Sequence, residues 1–282
     1  MKNILLLLAT LALIVVMNPV RASASPAQPA QTVPAVPVSP GNTGNAVNTS
    51  VSRNWSGYAA TNGTFTGVSG TWTVPTFNNA INYGNYGADT TWVGIGGVTN
   101  KDLIQAGTEA MVDGNGQMTY NTFFEELPNF SQPLPVSING GDKVTVSINK
   151  QSGNQWIVTF KNNTTGQNYQ TTVTYNSSLS SAEWIEEAPS TLRRIMPLDN
   201  FGSINFTDAT AVKNGQTMAV GQIGAQPVTM ADSYQNVLAV PSTLSNNGSS
   251  FTIMHESSQQ TFSPGRGQSP SFILIYRFHD LY

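Results

Sequence analysis

Short alternating runs, each closed by a turn signal, dominate this chain, and no convincing helical period interrupts them. Lys143–Asn149 sets Val144, Val146 and Ile148 against polar neighbours, and Gln155–Asn162 does the same with Trp156, Val158 and Phe160. A period of two places alternate side chains on opposite faces of an extended strand. Asn163-Thr164-Thr165-Gly166 then turns the chain into the next run, Gln170–Tyr175. Upstream, Thr66–Val74 alternates and stops at Pro75, and Thr90–Gly96 has the low polarity of a central strand. Asp102–Met111 and Met118–Leu127 flank Asp113-Gly114-Asn115-Gly116, a hairpin signal. Gly202–Ala211, Val228–Val240 and Phe251–His255 complete the series. Such a series predicts an all-β fold, an antiparallel two-sheet sandwich.

The ends read differently. Lys2 followed by the apolar run Ile4–Val16 and the small-residue site Ala22-Ser23-Ala24 has the layout of a secretory signal, too short to span a bilayer. Residues 1–24 are therefore expected to be a signal peptide, making the mature protein secreted and extracellular. Residues 25–52, rich in Pro, Ala, Val, Asn and Thr, are expected to be a disordered linker or pro-segment. The sandwich is expected over 53–255. Residues 256–282 form an extension in which Phe272–Tyr276 is a late strand or packing arm.

Composition removes several functions. The formal charge is −3 with no basic run, which argues against nucleic-acid binding. There is no cysteine, so disulfides, thiolate catalysis and Cys-ligated zinc are excluded. With 15 Asp plus Glu in 282 residues, few paired carboxylates are available to be lost in acid, a hint of tolerance to low pH.

Against that low charge, Ala182-Glu183-Trp184-Ile185-Glu186-Glu187 carries three carboxyls around an aromatic and an aliphatic residue. As a strand it places Glu183, Ile185 and Glu187 on one face, with Trp184 and Glu186 on the other. A carboxyl in apolar surroundings has its pKa pushed up, which is how a general acid or base is made. A solvated edge strand is the plainer reading. Phe123-Phe124-Glu125-Glu126 is a second acidic-aromatic strand, with Phe123 and Glu125 on one face. Glu125 and Glu187 would line one groove if their strands share a sheet. Two carboxyls in an aromatic groove suit glycoside or peptide hydrolysis, and the residues alone leave both open.

Other motifs carry less. The Asp113 loop resembles a calcium loop but lacks the sixth-position glycine and has Phe124 where the twelfth-position glutamate belongs, so it reads as a turn and no metal site is expected. His255 and His279 are the only histidines, and no Gly-x-Ser-x-Gly elbow accompanies them.

Eight blocks in order resemble the glutamic peptidases, the eqolisin or G1 family. They include Asn54-Trp55-Ser56-Gly57, Val68–Pro75, Thr91–Gly97, Leu103-Ile104-Gln105-Ala106-Gly107, Tyr120–Pro128, Asn163–Gln167, Ala182–Glu187 and Phe206-Thr207-Asp208. The resemblance implies a β-sandwich with its site on a concave face, of the concanavalin-like, jelly-roll kind. It implies Gln105 and Glu187 as the catalytic pair, with Glu186 a bystander. Trp55, Trp92, Phe123 and Glu125 fall on positions that look like its cleft residues. It further implies hydrolysis of polypeptides in acid by an activated water, without cofactor or metal. A monomer without a nucleic-acid partner, and free of the membrane after signal removal, is expected. Gly96 and Asn121 stand where fungal members carry Asp, and Ala188-Pro189 replaces an acidic-aromatic continuation. A concanavalin-like glycoside hydrolase and a non-catalytic lectin-like module are the rival readings.

Overall fold

The computed structural model describes residues 50–256 apart from 77–85, 114 and 192–193. The expected signal, most of the expected linker, part of the Asn78–Gly87 loop, the Phe272–Tyr276 segment and His279 lie outside the described residues.

The described residues form sixteen strands: β1 Ser50–Ser52, β2 Trp55–Ala60, β3 Phe65–Thr73, β4 Gly87–Gly96, β5 Leu103–Val112, β6 Met118–Glu126, β7 Gln132–Pro133 and β8 Lys143–Lys150. The second half continues with β9 Gln155–Asn162, β10 Asn168–Thr174, β11 Ala182–Glu187, β12 Ser203–Lys213, β13 Gln216–Ala219, β14 Gln226–Ala231, β15 Val237–Pro241 and β16 Phe251–His255. One layer runs β10-β9-β8-β3-β12 and the other β16-β15-β14-β2-β11-β4-β5-β6-β7, antiparallel throughout. Among the described residues, β1 pairs in parallel with β14, and Ala88 of β4 makes an isolated parallel bridge to Leu198.

The layers are joined through β12. Its first residues, Ser203–Phe206, pair with β16, and from Thr207 onward it pairs with β3. The register breaks between Thr207 and Thr210, where Asp208 adopts φ 54°. A bulge of this kind bends a strand, letting one strand serve both layers at a corner.

The periodicity argument held in β8 and β9, whose inward residues Val144, Val146, Ile148, Trp156, Val158 and Phe160 are all buried. They meet Val93, Ile95, Ile104, Ala106 and Trp184 from the facing layer in one inter-sheet core. Two details differ from expectation. Val228–Val240 is two strands, because Asp232 folds back on itself, its Oδ1 accepting from the backbone N–H of Tyr234 (2.8 Å) and Asn236 (2.9 Å). Ser50–Ser52, expected in the linker, belongs to β1.

The β2-β11-β4-β5-β6 layer is buried on its outer face too. Trp55, Ala59, Trp92, Val98, Leu103, Phe123, Ile185 and Val228 form a second apolar cluster there, separate from the inter-sheet core. This outer face carries the site.

Candidate active site

β11 is not a solvated edge. It pairs with β2 on one side and β4 on the other, and all six of its residues are buried. The expected alternation holds: Ile185 joins the outer cluster and Trp184 the inter-sheet core. Glu187 therefore faces outward with Ile185 and Glu183, while Glu186 faces inward.

Register places Gln105 on the same outer face. Gln105 is opposite Gly94 on β4, and Glu187 is opposite Thr90 on the other flank of that strand. Trp92 lies midway between those levels, opposite Ile185 and Gly107. Two glycines make room for its ring. A Cβ on Gly94 would come 2.9 Å from Trp92 Cζ3, and one on Gly107 would come 2.6 Å from Trp92 Cβ. Larger residues at either position would displace the indole.

That indole sets the electrostatics of Glu187. Trp92 Nε1 donates to Glu187 Oε2 at 2.9 Å, and Asn54 Nδ2 donates to Glu187 Oε1 at 2.8 Å. Trp55 packs edge-on to Trp92, with ring centroids 5.0 Å apart, and its indole N–H also lies close enough to pull on the Glu187 carboxyl. Burial pushes the Glu187 carboxyl well above the usual carboxylate range, the charge of Glu125 adds to the push, and the nearby side-chain N–H groups pull it back. Asn54, inside a block quoted above, was not among the expected site residues. Its signal was its place next to Trp55; its partner is 133 residues away.

Glu125 stands directly opposite Gln105 on β6, and the Gln105 amide nitrogen is bonded to Glu125 Oε2. Burial raises the Glu125 carboxyl to about 8, with Gln105 pulling the other way. Two carboxyls that feel each other resist ionising together. Glu187 has a donor on each oxygen and Glu125 has one amide, a difference that favours the charged form of Glu187 against the burial both share.

Of the expected cleft residues, Trp55, Trp92, Phe123 and Glu125 all lie on this face and are buried. Trp92 is bonded to Glu187 as well as forming part of the wall. Glu183 shares the face too, fully buried, with neither carboxyl oxygen partnered. His255 lies elsewhere, edge-on to Phe201 at 5.4 Å. The Asp113 loop is the expected turn, its Oδ1 accepting from the backbone N–H of Asn115 and Gln117.

Gln105, Glu125 and Glu187 thus lie on one face of an antiparallel sandwich, Glu187 with a donor on each carboxyl oxygen. Residues 53–255 match the Peptidase A4 family, and the chain belongs to it. Aspergillopepsin-2 of Aspergillus niger is 28% identical over 230 residues, covering 74% of this chain and 79% of the relative. A scytalido-glutamic peptidase solved with a transition state analog inhibitor superposes with a TM-score of 0.61 at 25% identity, covering 72% of this chain and 98% of the other. Aspergilloglutamic peptidase from Aspergillus niger gives 0.55 at 27% identity, covering 60% and 99%. The fold is thus the expected β-sandwich, and the protein is a glutamic endopeptidase, a hydrolase of polypeptides. The glycosidase and lectin-like readings give way to this one.

Proposed function

We propose that this is a secreted acid endopeptidase working through Glu187 and Gln105. Glu187, ionised, takes a proton from a water molecule, which attacks the scissile carbonyl. The carboxyl then returns the proton to the leaving amine. The Gln105 amide donates to the oxyanion of the tetrahedral intermediate, a contact whose loss costs about 3 kcal/mol of barrier. No covalent intermediate forms, and no metal or cofactor takes part.

The observation that carries the reading is the pair of N–H groups, from Asn54 and Trp92, closing on both oxygens of Glu187. A carboxylate only accepts, so two donors favour its charged form against the burial that opposes it. Trp55, Phe123 and Trp92 offer substrate side chains apolar walls. Secretion follows from the signal-like residues 1–24. The enzyme works as a monomer.

Casein digestion at about pH 4 tests the assignment. Glu187→Gln is expected to lose about 10⁴-fold in kcat and Gln105→Ala about 10²- to 10³-fold, both folded by circular dichroism. Full activity in either variant would overturn it.

A further inference from the structure

The Gln105–Glu125 contact poses a problem for the proposed chemistry. As it stands, the amide nitrogen faces Glu125, and the amide oxygen Oε1 has no partner. Glu125 Oε1 has none either. An oxyanion needs the nitrogen end of the amide; the oxygen end repels it. We propose that Glu125 is a positioning residue that turns Gln105: its proton, held toward the amide oxygen, sends the amide nitrogen to the substrate carbonyl. This rests on the dyad proposed above.

The two ends of a primary amide have nearly the same outline, and its last torsion has two comparable settings. The contact with Glu125 therefore accepts the amide either way round, and the proton decides which. With Glu125 protonated, its O–H donates to Gln105 Oε1 and both N–H groups of the amide are released. With Glu125 ionised, that setting puts bare oxygens face to face, so the nitrogen swings back and is captured. Register makes the contact unavoidable, since the two residues are directly opposed on neighbouring strands and almost wholly buried.

The surroundings keep the proton in place. Glu187 and Glu183 on β11 and Glu109 on β5 share this face of the sheet, Tyr175 feels the Glu125 charge, and Glu126 follows on β6. Neither lysine nor arginine occurs in β2, β4, β5, β6 or β11 to favour a second negative charge. A charge on Glu187 thus makes Glu125 hold its proton more tightly. The state that activates water is the state that orients the amide.

Steady-state kinetics on a quenched fluorescent peptide across pH test this with Glu125→Met and Glu125→Gln, circular dichroism confirming the fold at each pH. Methionine keeps the bulk and removes the donor. It is expected to lower kcat about 10²-fold at every pH, with KM within about threefold. Glutamine donates at any pH. It is expected to recover at least about tenfold of that loss and to abolish the alkaline fall in kcat over the range where the protein stays folded. A Glu125→Gln profile with the wild-type alkaline limb would overturn the proposal. So would Glu125→Met with unchanged kcat, or losses confined to KM, which would mark a residue that only binds substrate. An active Gln105→Ala would instead remove the dyad beneath it.

Discussion

Two clusters of carboxyls sit on opposite faces of one strand, both pushed up by burial but differently supplied with donors. On the outer face of β11, Glu187 receives N–H donors on both oxygens. On the inner face, Glu186 accepts from Thr91 Oγ1 at 2.6 Å, and its other oxygen is unpartnered. It meets Asp89 and Asp199 there. All three carboxyls are pushed up, by burial first and in Asp89 by the two neighbouring acids as well. Two carboxyls bond to one another only when one is protonated. Burial is the same on both faces; the donors on Glu187 oppose it more fully than the single hydroxyl on Glu186 does. The inner trio also fastens 197–199 to β4, where Ala88 N–H donates to Pro197 O at 3.0 Å.

The sharpest break of that comparison is between neighbours in sequence. Glu187→Gln should cost about 10⁴-fold in kcat. Glu186→Gln should leave kcat within about threefold at about pH 4, where Glu186 is already neutral. Peptide kinetics on both variants decide it. A comparable loss in the second would mean that the two faces are one functional unit.

The next effect is on stability. Burial lifts Glu186 to about 8 and Asp199 to about 6, against ordinary values of 4.5 and 3.8. Between the ordinary and the raised values the folded chain binds more protons than the unfolded one, so stability falls as pH rises. The loss begins near pH 4 and continues as Asp199 and then Glu186 titrate. Tm should drop by roughly 10 °C or more from about pH 4 to about pH 8, and Glu186→Gln should shrink that drop. Thermal melts in matched buffers measure it. A wild-type Tm that rises over this range would sink the account of the trio.

Trp92→Phe tests the donor side alone. The ring remains and the N–H to Glu187 is lost, so the Glu187 carboxyl moves further up. A smaller fraction is ionised in acid, and kcat/KM at about pH 4 should fall roughly tenfold for each unit that the acid limb moves upward. An acid limb that stays put would show that Trp92 only fills space.

Local pattern made the strands legible, because β8, β9 and β11 state their faces by a period of two. It also grouped Glu187 with Glu183 and Ile185 on one face, whereas Gln105 came only from the resemblance of its block. What stayed hidden depends on contacts remote in sequence. Asn54 meets Glu187 across 133 positions, and no local rule pairs them. Glu186 was expected to be a bystander; its partners Asp89 and Asp199 come from other parts of the chain. The corner in β12 and the turn at Asp232 interrupt runs that look continuous. Tolerance to acid was expected from scarce carboxyls; the raised, buried carboxyls Asp89, Glu186 and Asp199 would favour the fold in acid on a different ground.

The smallest predicted effect isolates the single donor given to the inner cluster. Valine matches threonine in shape, so Thr91→Val removes the hydroxyl bonded to Glu186 and little else. At about pH 4 the neutral Glu186 loses one partner, a cost of about 1 kcal/mol, or roughly 2–4 °C in Tm for a domain of this size. That hydroxyl also pulls the Glu186 carboxyl down, so its loss raises the carboxyl further. The stability penalty should therefore stay level from about pH 4 to neutrality and grow above about 8, where the wild-type Glu186 ionises and the variant's does not, while kcat at about pH 4 stays as in the wild type. An equal loss of Tm at about pH 4 and above about pH 8 would mean that Thr91 contributes packing alone, and that Glu186 is indifferent to the hydroxyl beside it.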